Sequence, residues 1–319
     1  MTRDRKQAPA AKGSARPPRK PRRFEAKPTA GPAASHRPYP ASNAAPYAPA
    51  KPARAAKPAQ AARASSAAGD PQATFRRPSQ ELVALYGFHA VREALRSRKR
   101  KLLDIFATPA AAEKLAAEIL GAGLSAHIVE ADALSRRLGA DAVHQGVMLE
   151  ARPFEPLDLA DIEQASGVVL VLDQITDPHN VGAILRTAAA FRVDAVVMTE
   201  RHAPEMTGVL AKAASGGLEH APIVHVVNLA RALKTLGELG YLRVGLDSAG
   251  EASLGAAPLA RPLALVLGGE GKGIRRLTRE NCDLVARLDM AGPIKSLNVS
   301  NACAVALTLV ELRLADRLR

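Results

Sequence analysis

The sequence predicts an α/β protein whose larger domain is a parallel sheet covered on both faces, and two observations carry that expectation. From Val168 onward the apolar runs "VVLVLD", "AVVMTE", "IVHVV", "RVGLD", "LALVLGG" and "LVARLDM" recur about every 20 to 28 residues, with helical patterns between most of them. The runs are also continuous rather than alternating. Strands of that kind are buried on both faces, and helices between them make the crossovers of a parallel sheet.

The chain does not begin with that sheet. Of its 319 residues, the segment before Ser79 holds 17 Lys and Arg against three acids, and the rest holds 27 basic and 28 acidic residues. The formal net charge of +13 therefore belongs to the first segment. That segment also carries 14 of the 23 prolines and almost nothing apolar larger than Ala. It cannot bury enough surface to offset chain entropy, so residues 1–79 are expected to form a disordered basic tail. Such an arm is drawn to polyanions by charge alone, and a merely solubilising extension is the plainer alternative. The opening "MTRDRKQ" has no apolar core for a secretory signal, and no later stretch reaches the length of a membrane span. A cytoplasmic protein without a membrane partner is expected. Cys282 and Cys303 lack metal-ligand or CxxC spacing and read as reduced thiols in packed positions.

Residues 80–154 read as a small α/β unit. "YGFHAVREALRSR" has the pattern of an amphipathic helix led in by Gly87, and "KLLDIFAT" that of a strand. "AAAEKLAAEILGAG" reads as a helix stopped by glycines and "SAHIVE" as a second strand. The run "RSRKRK", Arg96 to Lys101, is equally an RNA-facing patch or a solvated helix end. "ARPFEPLDLADIEQASG" reads as a linker into the domain at 155–319.

Ligands of parallel sheets sit at the carboxyl ends of the strands, and three polar motifs fall there. In "LDQITDPHNVGAILRTAAAF", the first strand ends at Asp173, Asp177 and Pro178 make a turn, and Asn180 is placed to cap a helix. Val181, Ile184, Leu185 and Ala188 form its buried stripe. Arg186 lies off that stripe beside the small residues Gly182, Ala183 and Ala190, which leave it open to a partner. In "LALVLGGEGKGI" a strand runs into Gly268, Gly269, Gly271 and Gly273, where backbone amides can approach a ligand closely. Lys272 is followed by Gly rather than Ser or Thr, so this is not a Walker A loop. Too little chain follows for the rest of a mononucleotide-binding unit with its ribose-binding acid. In "SLNVSNACAVAL", Ser296, Asn298, Ser300 and Asn301 exceed what one helix start requires, leaving some of them for other contacts.

In this order, "DPHNVGAILRTAAAF", "LVLGGEGKGI" and "IKSLNVSNACAVAL" resemble the three signature motifs of the SpoU family of RNA ribose 2'-O-methyltransferases. "YGFHAV" and "VHQGVMLEARP" look like the small RNA-binding domain of the branch that methylates a guanosine of 23S ribosomal RNA, and "KAASGGLEHAPIVHVVNLARAL" is similar to that branch's segment between the first two motifs. The resemblance implies a trefoil-knotted fold of SPOUT type, an exception to the rule that chains do not thread their own loops. It further implies a homodimer, S-adenosylmethionine as methyl donor, and no metal. Carried over by motif, Asn180 and Arg186 fall at catalytic positions, with Glu270, Ser296 and Asn298 supporting. Gly268, Leu288 and Leu297 fall at cofactor-contacting positions, mainly through backbone groups.

The family assigns Arg186 the role of base. A guanidinium does not normally lose its proton in a protein, so a charged Arg186 that clamps a phosphate and stabilises developing alkoxide charge fits the chemistry better. Two alternatives carry the same motifs less well: a tRNA ribose methyltransferase, and a non-catalytic RNA-binding protein of ribosome assembly.

Overall fold

Two sheets organise the residues that this computed structural model describes, namely 75–79, 81–162, 166–201, 203–204, 208–269 and 271–316. The expectation of a disordered arm over residues 1–74 lies outside them.

The first sheet is built from β1 (Val83–Tyr86), α1 (Phe88–Ser97), β2 (Leu102–Ala107), α2 (Pro109–Lys114), α3 (Ala116–Gly121), β3 (Ala126–Ile128), α4 (Ala131–Leu138) and β4 (Val147–Ala151). Its strand order is β1-β4-β2-β3, with β4 antiparallel to both neighbours and β2 parallel to β3. Gly87 enters α1 at φ 86°, a conformation that suits a residue without Cβ. Ala90, Val91, Ala94 and Leu95 are the buried stripe of that helix. The single helix expected from Ala110 is instead two short ones, joined at the buried Leu115, whose ψ of 8° leaves the helical region. The strands β1 and β4 and the helix α4 were not legible as elements. Glu150 interrupts the apolar run of β4, yet it is wholly buried, and its carboxylate accepts from the Arg76 amide at 3.2 Å. Burial raises its pKa above the ordinary value, while Arg76 and Arg137 pull it down.

That contact moves a boundary. The ring of Phe75 lies 4.6 Å from that of Phe106, and Arg76 Nε donates to Asp104 at 2.9 Å. Phe75 thus packs against the core of the small unit and the exposed Arg76 is tied to its surface, although the sequence placed both in the tail, where Pro78 and the paired arginines resemble what precedes. Phe75→Ala is expected to cost about 1–2 kcal/mol in denaturant unfolding, less than a fully buried Phe because this ring is only half-buried.

The second sheet follows a 3-10 turn at Leu159–Ile162. It comprises β5 (Val168–Asp173), α5 (Pro178–Ala190), β6 (Ala195–Thr199), α6 (Gly208–Ala214), a 3-10 turn (Gly217–Glu219), β7 (Ile223–Val226), α7 (Leu229–Glu238), β8 (Leu242–Leu246), β9 (Ala252–Ser253), β10 (Leu263–Gly268), α8 (Arg276–Glu280), β11 (Leu284–Arg287) and α9 (Val299–Asp316). The order is β7-β6-β5-β10-β8-β11-β9, and every pairing is parallel, as the continuous apolar runs predict. Alternate residues of β5 divide between two cores. Val168, Leu170 and Leu172 pack with α5, α6 and α9, whereas Val169 and Val171 pack with Leu229, Leu233 and Leu236 of α7.

Cys303 is buried on α9 and Cys282 is partly buried, both as free thiols. Burial pushes each thiol up to about 12, so both are protonated and inert at neutral pH. Among the described residues, no helix is long and apolar enough to cross a membrane.

Candidate active site

The strand order turns at β5 and β10. Successive strands β5, β6 and β7 run to one side, while β10, late in the chain, inserts between β5 and β8. A crevice opens at the carboxyl ends of strands where order reverses. A cavity of about 380 Å³ lies there, lined by Gln174 to Asp177 after β5, by Gly269, Lys272 and Gly273 after β10, and by Asn180 and Val299 at the starts of α5 and α9.

The start of α5 corrects one expectation. Asp177, not Asn180, caps the helix: its carboxylate accepts from the amides of His179 at 3.1 Å and Asn180 at 3.3 Å. The reason is Pro178. Proline holds the residue before it extended and suits the first helical position, where its missing N–H is not needed. Asn180 therefore sits inside the first turn with its side chain released from capping, and its Oδ1 accepts from Asn298 Nδ2 at 2.9 Å. The Oδ1 of Asn298 accepts from the Ser300 amide at 2.9 Å and from Ser300 Oγ at 2.6 Å. One amide group thus starts α9 and joins the amino ends of two helices, which accounts for part of the polar excess after Ser296.

The glycines meet a different demand. A Cβ on Gly268 would stand 2.2 Å from the Gly273 carbonyl carbon, and one on Gly269 would stand 2.7 Å from the Gln174 oxygen. The loop doubles back on itself, with the Gly273 amide donating to Gly269 O at 3.0 Å. Both ends are tied to Asp173, the last residue of β5. Its carboxylate, wholly buried, accepts from Arg275 N at 2.9 Å and Arg275 Nε at 2.6 Å, and its backbone oxygen accepts from Gly269 N at 2.9 Å. Asp173 and Arg275 were missed as site residues. The signal available was an acid closing an otherwise apolar strand.

The remaining residues distribute unevenly. Ser296 and Leu297 lie in the exposed segment before α9, and Leu288 is half-buried just after β11; none of the three lines the cavity. Glu270 lies outside the described residues. Arg186 is exposed, six residues along α5 from Asn180, and does not line the cavity either. Gly182 does not serve its access: a Cβ there would meet Ala213 Cβ at 2.5 Å, so that glycine lets α6 pack against α5.

Residues 167–308 match the SpoU rRNA Methylase family, and residues 84–157 match the RNA 2'-O ribose methyltransferase substrate binding family. The 23S rRNA (guanosine-2'-O-)-methyltransferase RlmB of Pasteurella multocida is 39% identical over 243 residues, which cover 72% of this chain and 98% of that protein. The RlmB of a Burkholderia species is 40% identical over 233 residues, covering 71% and 94%. Among solved structures, a putative RNA methyltransferase of the TrmH family from Porphyromonas gingivalis aligns with a TM-score of 0.61 at 25% identity, over 73% of this chain and 91% of that one. The SpoU methyltransferase AviRb from Streptomyces viridochromogenes, solved with AdoMet, shares the fold with a TM-score of 0.62 at 21% identity, over 73% and 91%. With relatives this similar along nearly their whole length, the chain belongs to the SpoU family of RNA methyltransferases.

Proposed function

We propose that the chain transfers a methyl group from S-adenosylmethionine to the 2'-hydroxyl of a guanosine in 23S ribosomal RNA. The observation that carries this reading is the crevice between β5 and β10, where Asn180, bonded to Asn298, shares a lining with a glycine loop that leaves no room for a Cβ at Gly268 or Gly269. A ligand held mainly by backbone groups suits such a loop. Gly268, Leu288 and Leu297 would hold the cofactor, which when bound supplies a sulfonium methyl carbon open to in-line attack. The chain's own task is to align the ribose and ease the loss of the hydroxyl proton. Asn180 and Asn298 orient the ribose, Arg186 in its charged form stabilises the developing alkoxide, and Glu270 and Ser296 support them.

The same reading assigns residues 1–79 to an RNA-attracting arm, of which 75 and 76 are anchored, 80–154 to RNA binding and 155–319 to catalysis, in a cytoplasmic enzyme. It includes a homodimer. Arg186 outside the cavity and the exposed Val305 and Leu312 of α9 support a second copy completing the site. It also includes the trefoil threading, supported by the late insertion of β10 between β5 and β8. RNA loops suit a dedicated holding domain, because unstacked nucleotides expose the ribose that a paired helix hides.

The test is to supply purified protein with labelled methyl donor and, separately, unmodified 23S RNA and bulk unmodified tRNA. Label on a ribose of 23S RNA is expected. Label in tRNA alone overturns the substrate, and label on a base overturns the chemistry.

A further inference from the structure

The charged run from Arg96 to Lys101 behaves unlike either expectation at one position. Arg100 is neither RNA-facing nor solvated: its side chain is 2% exposed, as is that of Glu219, which it meets across 119 residues of sequence. The pair is bidentate, with Nε donating to Oε2 at 3.2 Å and an outer guanidinium nitrogen to Oε1 at 2.8 Å. Ser97 Oγ donates to the same carboxylate at 3.3 Å, and the guanidinium lies 3.8 Å over the Phe154 ring. Arg100, Ser97 and Phe154 belong to the substrate-binding match, whereas Glu219 belongs to the methylase match.

Glu219 ends the 3-10 turn that begins at Gly217, and that turn packs against α5, most closely at Gly217. A Cβ on Gly217 would stand 2.7 Å from Arg186 Cα, 2.8 Å from Leu185 O and 2.9 Å from Arg186 N. Only a glycine lets the turn sit this close, and the backbone it presses on carries Arg186. A buried bidentate pair is a poor source of net stability but a strictly directional one, because both ions must keep their geometry to offset their desolvation. We infer that the Arg100–Glu219 pair is a positioning device, by which the RNA-holding domain fixes the 3-10 turn on α5 and so sets where Arg186 stands during methyl transfer. The inference rests on the methyltransferase reading.

The experiment compares parent, Arg100→Leu, Glu219→Leu, the double Leu variant and Arg100→Lys in melting temperature and in steady-state transfer to 23S RNA. Each single Leu variant leaves a buried charge unpaired and should melt early, and the double variant should recover most of that loss. Were the pair only structural, activity would recover with stability. The expected result is a double variant that melts near the parent, keeps its KM for RNA and S-adenosylmethionine, and loses at least tenfold in kcat. Arg100→Lys keeps the charge but not the fork, and is expected to fold with kcat reduced severalfold. Should the double variant fail to fold, Arg100→Lys decides. Parental kcat in a folded variant, or a rise in the KM for RNA with kcat unchanged, overturns the inference. A parent that methylates no RNA would instead overturn the underlying function, so the two failures are distinct.

Discussion

Arg186→Ala is expected to lower methyl transfer about 100-fold or more while leaving the melting temperature and S-adenosylmethionine binding unchanged. The separation follows from position. Arg186 is exposed on α5, off the buried stripe of Val181, Ile184, Leu185 and Ala188, so truncation removes no core contact. It is not among the residues proposed to hold the cofactor, so cofactor affinity has no reason to fall. In the proposed role, what is lost is a fixed positive charge where negative charge develops, a class of contact whose removal typically costs two to three orders of magnitude in rate. A kcat within a few-fold of the parent would remove Arg186 from the chemistry. Arg186→Lys distinguishes charge from shape: a point charge retains part of the stabilisation but cannot clamp a phosphate with two parallel hydrogen bonds.

The large sheet was legible because its strands are buried on both faces. Burial erases alternation, and the six apolar runs from "VVLVLD" to "LVARLDM" then mark β5, β6, β7, β8, β10 and β11 without ambiguity. The small domain was less legible for the opposite reason. β4 holds a buried Glu150 whose partners, Arg76 and Arg137, are distant in sequence, so no local pattern announces it. Nor does composition reveal that Phe75 closes over Phe106 at the end of a proline-rich arm.

Within the site, residues acting through local geometry were the easier ones to find. The glycine loop and the surplus of polar residues before α9 are visible in a few consecutive letters. The Asp177 cap was misassigned to Asn180 because both residue types cap helices equally well. Only the constraint imposed by Pro178 separates them. The pairs that tie distant segments, Asp173 with Arg275 and Arg100 with Glu219, leave no mark on sequence spacing. They are also the contacts whose loss should be felt most.

For Asp173→Asn the expected result is a rise of about tenfold in the dissociation constant for S-adenosylmethionine, together with a lower melting temperature. The aspartate is wholly buried and acts only as an acceptor, taking the backbone amide of Arg275 on one oxygen and its Nε–H on the other. An asparagine of the same shape keeps one acceptor and turns a donor toward a donor at the other. Leaving such a group unsatisfied costs about 1–3 kcal/mol, and a tenfold change in affinity corresponds to about 1.4 kcal/mol. The cost falls on the loop because the same residue's backbone oxygen holds the Gly269 amide, so both ends of the glycine turn loosen together. Arg275→Lys should be milder. Its side chain is 45% exposed and gives up one charged contact, while the backbone amide of residue 275 still reaches the carboxylate. Isothermal titration of the donor into each variant measures the difference. An unchanged dissociation constant for Asp173→Asn would mean that the glycine loop does not hold the cofactor. The pattern opposite to Arg186→Ala, weak cofactor binding with a nearly normal kcat at saturating donor, is what a loop that only shapes the cofactor site requires.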